Sequence, residues 1–203
     1  MPITIINYNV GNIQSIVNML KKIGHSAIVT SKAEDIKNAD KLILPGVGSF
    51  DYGMEQLENS NLIEIIKDKV LKEKTPILGI CLGAQLFLQS SEEGIKKGFG
   101  WFDATVVKFN FDKPSFKIPH MGWNEIEVKK VNPLLKSLNN DSRFYFVHSY
   151  HFKFQKQEDV LTTTEYGYSF ASSFSKENIY GVQFHPEKSH KFGMTLLKNF
   201  AQL

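Results

Sequence analysis

The sequence predicts an α/β fold: a central, mostly parallel sheet flanked by helices, with additional antiparallel strands in the C-terminal half. In the first half, strand-length apolar runs alternate with segments whose apolar residues recur at helical spacing, the pattern of a parallel sheet covered by helices. From Trp101 onward the pattern changes to short β-branched and aromatic runs separated by turn residues, as antiparallel strands require. A chain of 203 residues, 42% of them hydrophobic, is long enough for one well-filled core, and no linker, repeat or low-complexity tract divides it. One domain covering 1–203 is expected.

Residues 3–8 read as a buried strand, and 12–22 place Ile13, Ile16, Val17 and Leu20 on one helical face at i, i+3, i+4 and i+7. Short strands follow at 27–29 and 42–44. A helix is expected over 61–72 with Leu62, Ile65, Ile66 and Val70 inward, then a strand over 77–80 that feeds a helix after Cys81. The antiparallel candidates are 104–109, 125–128, 144–150, 160–166, 170–174 and 179–184. The last helix, 190–200, carries Phe192, Leu196 and Phe200 at a spacing of four.

Composition narrows the function. The net charge is +3, and Arg143 is the only arginine among 24 basic residues, with acids interleaved throughout. Nucleic-acid binders cluster their basic residues and rely on the guanidinium fork, so that class is disfavoured. The one cysteine, Cys81, can form neither an intrachain disulfide nor a cysteine-based zinc site, which fits a reducing cytoplasm. The first residues lack the basic start and apolar stretch of a signal peptide, and no apolar run nears membrane-spanning length.

In an open α/β sheet, ligands sit outside the carboxyl ends of the strands, so the strand-to-loop junctions carry the functional signal. The sharpest is Gly79-Ile80-Cys81-Leu82-Gly83, where a strand ends in a nucleophile with glycine two residues away on each side. That is the spacing of a nucleophile elbow with cysteine in place of serine. A helix N-terminus after the cysteine favours a thiolate, and the Leu82 N–H is placed to serve an oxyanion. A buried structural cysteine beside helix-packing glycines would leave the same signature. A thiolate needs a base, and His185 ends an apolar strand, with Pro186 and Glu187 following. Glu187 can orient the imidazole, although an arbitrary His-Pro-Glu is more often a turn with a surface charge.

The third junction, Leu44-Pro45-Gly46-Val47-Gly48-Ser49, lacks the Gly-Lys-Ser/Thr ending of a phosphate loop, and as Gly-x-Gly-x-x-Gly it fails at Asp51. Its glycines would let a backbone N–H point at developing negative charge. The six histidines invite a metal reading, but on a continuous strand His148 and His151 point to opposite faces, and no HExxH or second cysteine is present. No metal and no cofactor are expected.

With these junctions in place, the chain resembles the triad-type (class I) glutamine amidotransferases, and among them the glutaminase subunits of imidazole glycerol phosphate synthase, over essentially its full length. The wider family's marks are Pro45-Gly46-Val47-Gly48, Gly79-Ile80-Cys81-Leu82-Gly83-Ala84-Gln85 and Gln183-Phe184-His185-Pro186-Glu187. The narrower ones are Pro119-His120-Met121-Gly122-Trp123-Asn124, Tyr145-Phe146-Val147-His148-Ser149-Tyr150 and Lys188-Ser189. The resemblance implies a flavodoxin-like fold, and hydrolysis of L-glutamine whose ammonia passes to a (β/α)8-barrel cyclase subunit that makes imidazole glycerol phosphate and aminoimidazole carboxamide ribotide. It implies Cys81 as nucleophile, His185 as base then acid and Glu187 as its orienter. Leu82 with Val47 or Gly48 would form the oxyanion hole, and Gly46, Gln85, Ser149 and Tyr150 would hold glutamine. Asn12, Trp123, Tyr145 and Lys188 would face the barrel partner in a heterodimer. Ala84 departs from the methionine common in the family. Close paralogues supply ammonia for amidino-group synthesis on nucleotide-linked sugars, and a free-standing thiol hydrolase is the competing class. Against the latter, the Tyr145 block and Lys188 resemble an ammonia-passing interface.

Overall fold

The computed structural model describes residues 2–111 and 116–203. Four β-α units build its first half: β1 (Ile3–Ile6), α1 (Ile13–Lys22), β2 (Ala27–Thr30), α2 (Ala33–Lys37), β3 (Leu42–Gly46), α3 (Phe50–Ser60), α4 (Ile63–Lys67), β4 (Ile77–Cys81) and the short α5 (Leu82–Gln85). The second half adds β5 (Ala104–Lys108), β6 (His120–Glu125), β7 (Glu127–Val128), β8 (Arg143–His148), β9 (Tyr150–Phe154), β10 (Val160–Tyr166), β11 (Tyr168–Lys176), β12 (Ile179–Val182) and α6 (His190–Ala201). The main sheet runs β2-β1-β3-β4-β12-β11-β10-β7. It is parallel from β2 through β12 and antiparallel beyond. The segment expected over 179–184 as one more antiparallel strand is instead β12, ending at Val182, parallel to β4 on one side and antiparallel to β11 on the other, because strand composition does not encode which neighbour a strand joins. β9 joins β11 and β5, while β6 and β8 form a separate two-stranded ribbon.

Parallel strands buried on both faces need apolar residues on both, and the strands supply them alternately. Leu42 and Leu44 of β3 enter the core under α3 and α4, whereas Ile43, with Leu78 and Ile80 of β4, enters the core under α1 and α6. Ile16 and Leu20 bury the face of α1 that the sequence marks.

Several elements depart from the pattern in the sequence. Among them is α3, which starts directly after the glycine-rich junction, where Phe50, Met54 and Leu57 form a short helical stripe. The helix expected over 61–72 is α-helical only over Ile63–Lys67 and continues as a π-helix over Asp68–Lys72. The strand expected over 144–150 is two strands, β8 and β9, in two different sheets with a bend at Ser149. That bend changes the phase of side-chain alternation. His148 and His151 therefore do not face apart: both rings lie against Phe109, at 5.2 and 4.7 Å between centroids.

Candidate active site

The parallel strands β1, β3, β4 and β12 lie side by side, so their carboxyl ends open on one edge of the sheet. Tyr8, Gly46, Cys81 and His185 all sit at or just beyond those ends, where the topology expects a ligand. Cys81 closes β4 with φ +53° and ψ −112°, a conformation an L-residue holds only when its surroundings enforce it. The glycines enforce it. A Cβ at Gly79 would lie 2.6 Å from Ala84 Cα, and one at Gly83 would run into the Leu44 carbonyl, so α5 folds back on β4 and packs against β3 only because these two positions lack side chains.

His185 follows β12 and begins a tight turn over Pro186–Lys188. Its main chain is fixed: the His185 N–H donates to Tyr145 O (2.9 Å), and Ser189 Oγ donates to His185 O (2.6 Å) while accepting from Tyr145 N (3.0 Å). His185 Nδ1 lies 2.8 Å from Glu187 Oε1, and the two side chains are 2% and 1% exposed. Burial opposes a charged ring here, but the nearby charge of Cys81, and then the hydrogen bond and charge of Glu187, outweigh it and lift His185 to about 10. The buried Nε2 atom makes no hydrogen bond, so it is the ring nitrogen left open for proton transfer. The His-Pro-Glu spacing allows this pair without deciding it, since the same three residues are more often a turn with a solvated charge, whereas here Glu187 is buried.

A cavity of about 470 Å³ opens over His185, lined by Val47, Gly48, Cys81, Leu82, Gln85, Val147, His148, Ser149, Tyr150 and His185 among others. Val47 is 44% exposed and Gly48 has φ +99°, so the segment after β3 is a glycine-hinged rim. Gly46 is buried behind that rim and is not part of the lining: a Cβ there would lie 2.5 Å from Gly83 N and 2.9 Å from the Tyr8 hydroxyl. Gln85 is buried and donates to Gln183 Oε1 (3.1 Å) and to Tyr150 O (3.4 Å).

Three residues at the site escape sequence reasoning. Tyr8 is buried and its hydroxyl donates to Pro45 O at 2.6 Å, anchoring the root of the hinged rim, with burial and the charge of Cys81 holding its phenol protonated. Gln183 Nε2 points at Cys81 Sγ from 3.7 Å. Glu93 lines the cavity and accepts from Phe50 N at 2.8 Å. Tyr8 and Glu93 lie outside every motif in the sequence, while Gln183, two residues before His185, is legible there as a motif letter but not as a partner of the thiol.

Trp123, Tyr145 and Lys188 come together beside the cavity. The Trp123 ring, 47% exposed, stacks on His190 (5.4 Å, 9° between planes) and meets Tyr145 edge-on, and Lys188 Nζ sits 5.6 Å above the Tyr145 ring. Asn12 precedes α1, its Oδ1 accepting from the Ser15 hydroxyl (3.0 Å) rather than from a backbone N–H, and α1 packs on the Pro186–Lys188 turn. Among the described residues, no group of three or more His, Cys, Asp or Glu side chains is arranged to hold a metal ion, and no helix is long and apolar enough to cross a membrane.

Comparison with known proteins decides the family. Residues 4–203 match the family described as glutamine amidotransferase class-I. The chain belongs to the class-I glutamine amidotransferases. This amidotransferase is 56% identical to imidazole glycerol phosphate synthase subunit HisH 2 of Methanococcus maripaludis, over 98% of each chain. It is 46% identical to the protein of the same name from Pseudomonas aeruginosa, over 99% of each. Among solved structures, a glutamine amidotransferase from Thermotoga maritima shares its fold, with TM-score 0.64 at 16% identity, covering 100% of this chain and 83% of that one.

Proposed function

We propose that this amidotransferase hydrolyses L-glutamine to glutamate and ammonia through Cys81, His185 and Glu187, and passes the ammonia to a (β/α)8-barrel cyclase subunit. That partner would make imidazole glycerol phosphate and aminoimidazole carboxamide ribotide, with the pair acting as a heterodimer in the cytoplasm. The observation that carries the reading is a strained Cys81 and a buried His185–Glu187 pair, with Cys81 and His185 lining one cavity.

The steps follow from the atoms. His185 Nε2 takes the thiol proton, Cys81 Sγ attacks the amide carbon, and the carbonyl oxygen becomes an oxyanion held by backbone N–H groups of Leu82 and of Val47 or Gly48. His185 then gives the proton to the leaving nitrogen, so ammonia departs and a thioester remains. Water, deprotonated by His185, cleaves the thioester to glutamate and restores the thiol. Glu187 holds Nδ1–H throughout and stabilises each imidazolium. Ser149, Tyr150 and Gln85 hold glutamine, with Gly46 behind them, and the Glu93 carboxylate is the group that matches the substrate's α-ammonium. Asn12, Trp123, Tyr145 and Lys188 form the partner face, and the rim at Val47 and Gly48 turns its N–H to the site when that face is engaged.

The test is glutamate release with and without a purified barrel cyclase and its nucleotide ligand. A stimulation of at least ~100-fold, about 2.7 kcal/mol of transition-state stabilisation, is expected. Full activity of the lone chain would refute gating by the partner. Stimulation only by a barrel enzyme of sugar amidation would move the same glutaminase chemistry to that acceptor.

A further inference from the structure

Two buried histidines have no part in the chemistry of the triad, yet both belong to one chain of hydrogen bonds that ends at the glutamine cavity. His120 and His148 are direct cross-strand partners in the β6–β8 ribbon, and His120 Nδ1 lies 3.0 Å from His148 Nε2. Asn124 Nδ2 donates to Glu165 O (2.9 Å) and sits 3.2 Å from His120 Nε2. At the other end His148 Nδ1 lies 2.7 Å from Tyr150 O, the carbonyl that also accepts from Gln85 Nε2.

The partners dictate every proton. A backbone carbonyl only accepts, so the Glu165 contact identifies the amide nitrogen of Asn124, and His120 Nε2 must accept from it. His120 then carries its proton on Nδ1 and donates to His148 Nε2, which must accept. His148 therefore carries its proton on Nδ1 and donates to Tyr150 O. Starting from the Tyr150 end gives the same assignment, because that carbonyl can only accept as well. Both rings are neutral in this arrangement, in keeping with burial, which depresses the basicity of each. Stacking clamps the relay: His120 lies between Phe146 (4.8 Å) and Tyr166 (4.0 Å).

We propose that His120 and His148 are positioning residues: a neutral imidazole relay that fixes the Tyr150 carbonyl, and with it the bend at Ser149 that receives glutamine, against the ribbon carrying Trp123 and Tyr145. This rests on glutamine being held at Ser149 and Tyr150. It explains why the strand breaks at Ser149 rather than running on, since the break lets the Tyr150 carbonyl turn back to accept from a side chain two residues earlier.

An asparagine amide nitrogen falls near the Nδ1 position of histidine and a glutamine amide nitrogen near Nε2, so two substitutions separate the bonds. In the complex with a barrel partner, H148Q, which loses the donor to Tyr150, is expected to raise KM for glutamine roughly tenfold with kcat little changed. H148N restores that donor and should recover most of the loss. Equal KM values for the two variants, or a loss confined to kcat, would overturn the proposal. Imidazole ¹⁵N–¹H correlation at pH 7 tests the relay whether or not the chain hydrolyses glutamine: both rings should be neutral with the proton on Nδ1. H120F, which keeps the stacking, should leave His148 with its proton on Nδ1, held there by the Tyr150 carbonyl, while the Nε2 resonance shifts because that nitrogen no longer accepts from His120. A charged ring, or an Nε2–H tautomer at either position in the native chain, would refute the relay. A correct tautomer pattern in a chain that hydrolyses no glutamine even with its barrel partner and that partner's ligand bound would instead refute the glutaminase assignment of the site.

Discussion

Replacing Glu187 by glutamine changes one oxygen to an amide nitrogen in a buried pair, and the local geometry determines the consequence. Glu187 Oε1 is 2.8 Å from His185 Nδ1, and Oε2 is buried with no partner. If the new amide keeps its oxygen on Nδ1–H, its nitrogen occupies the Oε2 position with no acceptor, an unmade bond costing about 1–3 kcal/mol. If it turns over, the nitrogen donates to Nδ1 and forces the proton onto Nε2, the tautomer that cannot accept the thiol proton. The relaxed state is therefore the unproductive one. Reaching the productive state and losing the carboxylate's charge, about 1–1.5 kcal/mol by the difference between charged and neutral hydrogen bonds, sum to about 2–4.5 kcal/mol. At 1.36 kcal/mol per decade, kcat should fall between ~30-fold and ~2,000-fold in glutamate release with saturating partner. H185A, which removes the proton carrier, should lose more. A fall under threefold, or loss equal to that of H185A, would refute the orienting role.

Y8F leaves the buried Pro45 carbonyl without its donor and frees the root of the hinged rim, so melting should drop by a few degrees while kcat falls more than KM rises. Calorimetry and steady-state kinetics check both. G83A drives a Cβ into the Leu44 carbonyl, and circular dichroism should show destabilisation beyond about 4 kcal/mol or loss of the fold. His120 is depressed to about 4 by burial, so the unfolded chain takes up a proton near 6.5 that the folded chain refuses. Stability should then decline as pH falls from about 6.5 to about 4, and H120F should flatten that decline in denaturant titrations.

The parallel half of the fold is legible in the sequence because its strands and most of its helices keep a strict period, and the elbow because close packing at Gly79 and Gly83 leaves no alternative to glycine. His185 and Glu187 are legible as neighbours along the chain. Less legible is β6, where Gly122 adopts φ +132° and polar residues dilute the strand pattern. The bend at Ser149 is a single-residue event that reverses which face His151 presents, and period-2 reasoning across it gives the wrong face. Tyr8 and Glu93 reach the site only through tertiary contacts, with Pro45 and Phe50, over separations that no local pattern encodes.

The proposed chemistry turns on Cys81 being the nucleophile toward a glutamine amide, and because it is the chain's one cysteine, intact mass reads it directly. The chain with its barrel partner is incubated with a glutamine-mimicking alkylator, with and without excess glutamine, and the adduct is mapped. One adduct per chain on Cys81 is expected, suppressed by glutamine and absent in C81S, with glutamate release lost in step with its formation. Alkylation elsewhere, or glutamine hydrolysis retained in C81S, would contradict the assignment.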